Sequence, residues 1–426
     1  MKRLITLCLV VILMFCLSGC NYIFGDTNNI LKAPTPQGEF EDIGKAIKAA
    51  NIVGNYTLKS ARRGNYRSSF IIRDINLDGT DEAIAFFSSD SKNSEELHMV
   101  MLHSLKNEWE IMSDTVLHGT DIEKVEFGDF NLDGAHELAI ATNIYGSPEL
   151  RLSLYNISST IPVQIYEDAY TDFAIMDIDE NGKDDLMLIK LDTSGKTAVC
   201  KMLSFVDGSI KQVSSVDINT SISEIEKISV STIDRKPAMF IDAKTTQNTY
   251  FTDLVYFGGK TLIAPISKEL LTTRYENTVC SDIDGDAELE IPTSTVLPGD
   301  SKNALSLTEW YKYKGGKFES RERSVVSKSL AYRLKINDKW LGKFTCLSSD
   351  FDGIDFYEYD GKLKKKLFSI KAVNKEKLDE SFDDWSVIDT SGELVYITKV
   401  HSKQKLGITK NDIDKNTIIS KREGVN

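Results

Sequence analysis

Short runs that alternate apolar and polar residues recur along most of this chain. In one stretch, the apolar segments 70–72 and 83–87 flank a polar loop, and the segments 97–102 and 108–112 follow them. Runs of this length and period are typical of β-strands. Because about fifty residues hold four such runs, we expect an all-β fold built from repeated four-stranded units.

The polar loop between the first two runs of a unit has the same acidic pattern in four places. The pattern is D-x-[DN]-x-[DN]-[GA]-x-x-[DE], and its copies span 74–82, 129–137, 177–185 and 282–290. Their first residues are 55, 48 and 105 residues apart. Since the last interval is about twice the others, we expect a worn unit near residue 230, where the runs 228–233 and 238–242 keep the flanking strands without the acidic loop.

These loops resemble the FG-GAP or VCBS repeats of bacterial surface proteins and of integrin-type β-propellers. The resemblance extends over residues 66–326, where three loops match fully and the fourth has Ala287 in place of glycine. It implies a β-propeller of about five four-stranded repeats with calcium in the loops. It implies no activity, because propellers carry many unrelated functions.

Acidic side chains at alternate loop positions can also be expected to converge on a cation from their chemistry alone. Calcium takes six to eight oxygen ligands, and clustered carboxylates repel one another unless a cation or protons relieve them. The expected ligands are Asp74, Asn76, Asp78, the carbonyl of Thr80 and Glu82 in the first loop, Asp129, Asn131, Asp133 and Glu137 in the second, Asp177, Asp179, Asn181 and Asp185 in the third, and Asp282, Asp284, Asp286 and Glu290 in the fourth.

The loop pattern has two other possible interpretations. An EF-hand needs a glutamate at loop position twelve, where this chain has Ala85, Ile140, Leu188 and Thr293 within strand-like runs, so that interpretation fails. A hairpin turn that holds no ion stays open, because Asp, Asn and Gly favour turns by themselves.

The first twenty residues carry an export pattern. A basic start, Met1 to Arg3, precedes the apolar run 4–17, which has the length of a secretory signal and is short for a membrane-spanning helix. The run ends in Leu-Ser-Gly-Cys, which resembles a bacterial lipobox, so we expect lipidated Cys20 to anchor the protein to the outer face of a bacterial membrane. An ordinary signal peptide that happens to contain a cysteine is the alternative.

The expected domain organisation follows from these patterns. It comprises a lipoprotein signal peptide at 1–19, a tether at 20–40, a short helix and lead-in strand at 41–65, the propeller at 66–326 and a small α+β domain at 327–426. The repeat period of about fifty residues ends after Val326. The segments 375–382 and 410–419 beyond it are compatible with short helices. Two degenerate blades that close a seven-bladed propeller are the alternative for this last part.

The amino-acid composition excludes some classes of partner and some kinds of site. A net charge of −13 argues against nucleic acid, which requires a concentrated Lys/Arg surface. The apolar content of 41% suits folded domains rather than disorder. After cleavage and lipidation, Cys200, Cys280 and Cys346 would remain, and their wide spacing predicts buried thiols rather than a disulfide framework, with a single disulfide as the alternative. The absence of a CxxC motif argues against a metal cluster.

No reaction can be assigned from the sequence. It contains no HExxH, GxSxG, GxGxxG or Walker motif. We therefore expect a non-enzymatic, membrane-anchored lipoprotein whose calcium-stabilised propeller binds an unknown protein or glycan. The alternative is a secreted hydrolase or lyase that acts on an envelope or environmental polysaccharide or peptide. Converging carboxylates or a Ser/His pair away from the loops would favour the enzyme.

Overall fold

The computed structural model describes residues 38–50, 56–91, 94–106, 108–144, 146, 150–192, 194, 196–268, 271–299, 305–349, 353–378, 382–401 and 406–419. The expected signal peptide, the lipidated Cys20 and the tether up to residue 37 lie outside the described residues. Among the described helices, none combines the length and the apolar composition needed to cross a membrane.

The described residues form six antiparallel sheets of four or five strands each. Sheet 1 contains β1 (Tyr56–Lys59), β2 (Phe70–Arg73), β3 (Glu82–Ser91), β4 (Ser94–Leu105) and β5 (Glu108–Leu117). Sheet 2 contains β6 (Asp121–Gly128), β7 (Glu137–Asn143), β8 (Leu150–Asn156) and β9 (Val163–Tyr170). Sheet 3 contains β10 (Asp172–Met176), β11 (Asp185–Asp192), β12 (Thr197–Val206) and β13 (Ser209–Asp217).

The second half of the chain continues in the same manner. Sheet 4 contains β14 (Ile222–Ile233), β15 (Lys236–Thr245), β16 (Tyr250–Phe257) and β17 (Leu262–Ile263). Sheet 5 contains β18 (Ile291–Val296), β19 (Ser306–Lys314), β20 (Lys317–Ser327), β21 (Tyr332–Lys335) and the C-terminal β27 (Thr417–Ile419). Sheet 6 contains β22 (Phe344–Ser349), β23 (Gly353–Tyr359), β24 (Leu363–Asn374), β25 (Ser386–Ser391) and β26 (Leu394–Val400).

Two α-helices complete the described structure: α1 (Glu39–Ala50) and α2 (Lys410–Asn416). Acidic residues in the first turn of α1 and Lys48 in its last turn complement the helix dipole. Ile43 and Ile47, four residues apart, are buried against the outer face of sheet 1, near Phe87 and Val100. A short helix is therefore present near the expected place, and its apolar side packs on sheet 1.

Consecutive sheets pack face to face in the order of the sequence. Each shared core combines residues from two neighbouring sheets: Ile84 with Val125 between sheets 1 and 2, Leu152 with Phe173 between 2 and 3, Met187 with Met239 between 3 and 4, Phe240 with Ile291 between 4 and 5, and Val325 with Phe356 between 5 and 6. The first strands of sheets 2, 3 and 4, which are β6, β10 and β14, lie beside one another. A second strand such as β7, covered on both faces, is therefore almost wholly buried, with the apolar run Leu138 to Ala141 at its centre.

The C-terminal part differs from the expected organisation. The expected boundary at residue 326/327 falls inside β20, and β21 and β27 extend sheet 5 because buried Tyr332 and Leu334 continue its apolar face. The segment 344–400 forms a sixth sheet, one more than the five repeats expected. In the described part of 327–426, the segment expected as a helix near 375 is a single 3₁₀ turn, Lys375–Lys377, and α2 leads directly into a strand.

Candidate metal sites in the acidic loops

The four acidic loops occupy equivalent places in four sheets. The first three connect β2 to β3, β6 to β7 and β10 to β11, and the fourth leads into β18 through an isolated bridge between Ser281 and Glu290. In sheet 4 the corresponding connection is a two-residue turn, Asp234-Arg235, in which both residues have positive φ, as in a tight hairpin. The worn unit therefore keeps its strands and replaces the loop by a turn.

The first residue of every loop closes the loop through backbone amides. Loop positions are numbered one to nine from this aspartate. Its Oδ2 accepts a hydrogen bond from the amide at position six, and these bonds join Asp74 to Gly79 (3.0 Å), Asp129 to Gly134 (3.1 Å), Asp177 to Gly182 (2.9 Å) and Asp282 to Ala287 (2.9 Å). Four loops thus share one hydrogen-bonded conformation.

The acid at position nine is buried in all four loops. It accepts the backbone amide of position two, in the pairs Glu82 with Ile75 (2.9 Å), Glu137 with Phe130 (3.1 Å), Asp185 with Ile178 (3.3 Å) and Glu290 with Ile283 (2.9 Å). Burial raises the pKa of Glu137 and of Asp185 to about 7. Burial also raises the pKa of Glu82 and of Glu290. Without a cation, the ionised form of each acid is therefore disfavoured.

Positions one, three and nine converge in two of the loops. Carboxylate oxygens of Asp177, Asp179 and Asp185 lie within 4.8 Å of one another, and those of Asp282, Asp284 and Glu290 do the same. In the first two loops position three is an amide. The Nδ2 atoms of Asn76 and Asn131 donate to Glu82 (3.2 Å) and Glu137 (2.8 Å), so these loops combine an amide with two carboxylates at positions one and nine.

Position five makes a local hydrogen bond within each loop. Its side-chain oxygen accepts the backbone amide of position seven, in the pairs Asp78 with Thr80 (2.8 Å), Asp133 with Ala135 (2.9 Å), Asn181 with Lys183 (2.9 Å) and Asp286 with Glu288 (3.0 Å). The Thr80 hydroxyl also donates to Asp78. These contacts are local turns. Position five is therefore tied into the turn by a hydrogen bond of the kind that position one also makes.

The fourth loop has its glycine at another position. Gly79, Gly134 and Gly182 have φ values between +87° and +89° at position six, where Ala287 has φ +69°. The residue at position four also has positive φ in every loop, and in the fourth loop that residue is Gly285. Ala287 therefore adopts a left-handed conformation that disfavours a side chain.

Neighbouring loops contact one another along the edge of the stacked sheets. Asp184 donates its backbone amide to the carbonyl of Asp129 (3.0 Å), and the amide of Asp129 donates to Asp184 Oδ2 (3.0 Å). Beside the third loop lies an open groove of about 410 Å³, lined in part by Asp179, Ser204 and Phe257. The loops and this groove thus form one surface.

The sequence pattern missed a residue on the third strand of each unit that faces position nine. The strand registers place Asn156 opposite Glu137, Ser204 opposite Asp185 and Lys312 opposite Glu290. Asn156 donates to Glu137 Oε1 (3.0 Å), the Ser204 hydroxyl donates to Asp185, and Lys312 Nζ lies 3.3 Å from Glu290 Oε1. In sheet 1 this place belongs to His103, which lies nearest Glu110. Position in the strand register was the signal that could have found them.

The donor set of the third loop fits a hard divalent cation. Three carboxylates converge there, and among the described residues no lysine or arginine forms an ion pair with any of them. Oxygen donors of this kind suit calcium, magnesium or manganese rather than zinc or copper. The acidic clusters can therefore bind a metal ion.

A separate buried polar cluster lies in sheet 4. Arg274 Nη2 lies 2.6 Å from Asp242 Oδ1, and Thr252 and the Cys280 amide also donate to this carboxylate, at 2.6 and 2.9 Å. All four residues are almost fully buried. The cluster therefore ties the segment after β17 to the sheet and is closed to substrates. The expected burial of the thiols is confirmed, because Cys200, Cys280 and Cys346 are all free and buried.

No protein-family model and no curated protein matches this chain. Among solved structures, it is similar to the exotype rhamnogalacturonan lyase YesX, with 12% identity, a TM-score of 0.30 and coverage of 81% of this chain and 72% of the lyase. It is also similar to the Bacillus licheniformis rhamnogalacturonan lyase PL11, with 11% identity, a TM-score of 0.31 and coverage of 80% and 89%. At this level of similarity, the activity of the two lyases is not evidence for an activity of this chain.

Proposed function

We propose that this protein is an exported, lipid-anchored binding module of the FG-GAP or VCBS type, whose first three acidic loops hold structural calcium ions. The observation that carries the proposal is the third loop. Asp177, Asp179 and Asp185 converge there although no cationic side chain pairs with them in the described residues. A bound divalent ion relieves the repulsion among three carboxylates, one of which is fully buried.

Calcium is the ion that best suits an exported loop of this composition. Extracellular calcium modules bind at roughly 10⁻⁴–10⁻³ M, and such sites are filled where calcium is abundant. An ion that binds only the folded chain stabilises it by mass action. The first two loops offer a weaker donor set of two carboxylates and one amide. We therefore expect them to bind calcium less tightly than the third loop.

The propeller arrangement is part of the proposal. Sequential antiparallel sheets that pack face to face, with the neighbouring first strands β6, β10 and β14, are what blades around an axis require. The six sheets would then be the blades. Cys20, with its lipobox-like context, would hold this body at the outer face of a bacterial membrane.

The loop edge is the proposed binding surface. The groove beside the third loop combines acidic Asp179, the lysines Lys183 and Lys260, and the aromatic rings of Phe205 and Phe257. Such a mixture of charged and aromatic groups suits a glycan or a protein segment. Since the converging acids belong to loops with one shared conformation, ion binding explains them better than acid–base catalysis.

A calcium titration of the purified full-length protein tests the metal assignment. We expect the melting temperature to rise with calcium and to fall with a chelator. Asp179→Asn should reduce this calcium response, because it removes one of three converging carboxylates. Asp217→Asn is the matched control, since Asp217 is exposed in the same sheet and lies outside the loop. An unchanged melting temperature in calcium and in chelator would remove the ion from the proposal.

A further inference from the structure

The fourth loop contains a buried lysine that the other loops lack. The side chain of Lys312 is 4% exposed, and its Nζ lies 3.7 Å from Asp284, 3.5 Å from Glu288 and 3.3 Å from Glu290. It also contacts Asp286. One ammonium group thus lies among four carboxylates.

The position of Lys312 follows from the strand that carries it. Burial alternates along β19, so that Ser306, Thr308, Trp310 and Lys312 are on its buried face. The pairing of Ile291 with Tyr311 then places Lys312 opposite the position-nine acid, Glu290. The strand register therefore brings the ammonium into the loop, independently of the acidic pattern.

The same place in two other sheets holds a neutral donor. Asn156 and Ser204 face Glu137 and Asp185 and give each acid one hydrogen bond without a charge. Neutral donors leave the negative charge of their loops uncompensated. Lys312 instead neutralises part of the charge of its loop, and it faces Glu290 Oε1, a fully buried atom that accepts no hydrogen bond among the described residues.

An ammonium and a divalent ion would compete for the same oxygens. Asp284 and Glu290 belong both to the converging metal-type set and to the contacts of Lys312. A buried lysine is tolerated only where it is paired, so moving it aside for an ion would leave the ammonium with fewer partners. The loop therefore cannot offer these carboxylates to the ammonium and to a divalent ion at the same time.

We propose that Lys312 is the built-in cation of the fourth loop, so that this loop requires no metal ion. This inference rests on the proposed function in one respect, which is that the other acidic loops bind calcium. The role of Lys312 in its own loop does not depend on it. In this view, the residue at one position on the third strand of each unit determines whether a lysine or a bound metal ion neutralises the acidic loop.

Counting bound calcium ions tests the proposal. The full-length protein, with calcium as the only added ligand, would be examined by native mass spectrometry and by equilibrium dialysis. We expect Asp284→Asn to leave the number of ions in the otherwise wild-type protein unchanged. Lys312→Met should bind one ion more than wild type, and adding Asp284→Asn to it should remove that ion. Lys190→Met is the control, because Lys190 pairs with Asp168 outside the loops.

Two results would overturn the proposal. One is the loss of an ion from the wild-type protein on Asp284→Asn, and the other is a folded Lys312→Met protein that gains none. If Lys312→Met does not fold, the number of ions bound by Lys312→Gln can be counted instead. The comparison of Asp284→Asn with the wild-type protein is independent of both lysine variants. A wild type without ions together with a Lys312→Met variant that binds one would defeat the proposed function and support this inference.

Discussion

Position six shows how one residue sets the conformation of a whole loop. Gly79 has φ +89°, and an added Cβ there would meet nothing within 4 Å. Any cost of a side chain at this place is therefore backbone strain and not a clash. Ala287 carries that strain in the fourth loop, with φ +69°.

This difference predicts opposite effects of two reciprocal substitutions. Ala287→Gly should raise the free energy of unfolding by about 1 kcal/mol, because glycine adopts a left-handed φ without the Cβ penalty. Gly79→Ala should lower it by a similar amount. Urea denaturation of the two variants measures both changes. Stabilisation by Gly79→Ala, or destabilisation by Ala287→Gly, would contradict the role given to the sixth position.

Residue-scale prediction from sequence succeeded where the contact is local in the chain. The aspartate at position one and the glycine at position six act within nine residues, so their roles follow from the motif. Asn156, Ser204 and Lys312 act across a strand pair, and the register of that pair depends on the length of the connection between its two strands, which differs between sheets. Their roles therefore follow from the strand register and not from the loop motif.

At the scale of the element, each loop is a short segment that buries one acid at its end. Glu137 and Asp185 have almost no exposed surface, and burial raises the pKa of both to about 7 in the metal-free protein. In an unfolded chain the pKa of these groups is about 4. The folded protein therefore holds protons on them that the unfolded chain releases.

A pH series in excess chelator should show this difference. Between about pH 4 and pH 7 the folded state binds more protons than the unfolded state, so stability should fall as the pH rises through that window. Calcium should weaken or abolish the fall, because it stabilises the ionised carboxylates. Melting temperatures across the window, with and without calcium, measure the effect. A chelated protein whose stability rises steadily over the same range would contradict it.

Strands were easier to predict than their grouping into sheets. The alternating runs at 70–72 and 83–87 correspond to β2 and β3, and the worn unit near residue 230 forms β14 and β15. The return of β27 to sheet 5 was not predictable, because a three-residue strand has no periodicity of its own and its pairing with β21 is set by tertiary packing. The sixth sheet was assigned to a separate α+β domain, with degenerate blades as the alternative, since its sequence does not carry the full nine-residue acidic pattern.

At the scale of the whole molecule, the loops lie along one edge of a stack of sheets. The contact between Asp129 and Asp184 joins the second and third loops, and Ser231 of sheet 4 donates to the carbonyl of Ala287 in the fourth. The chain carries a net charge of −13, so each bound divalent ion would offset part of the self-repulsion of an acidic protein. Calcium would thus act on the assembly of sheets as well as on single loops.

The most direct test of the central claim is a crystal structure of the protein grown with calcium, with anomalous diffraction data. We expect an anomalous peak coordinated by oxygen atoms of Asp177, Asp179 and Asp185, and none at the carboxylates around Lys312. Saturating calcium with no peak at the third loop, or with those three side chains turned away from one another, would show that the third loop is not a calcium site.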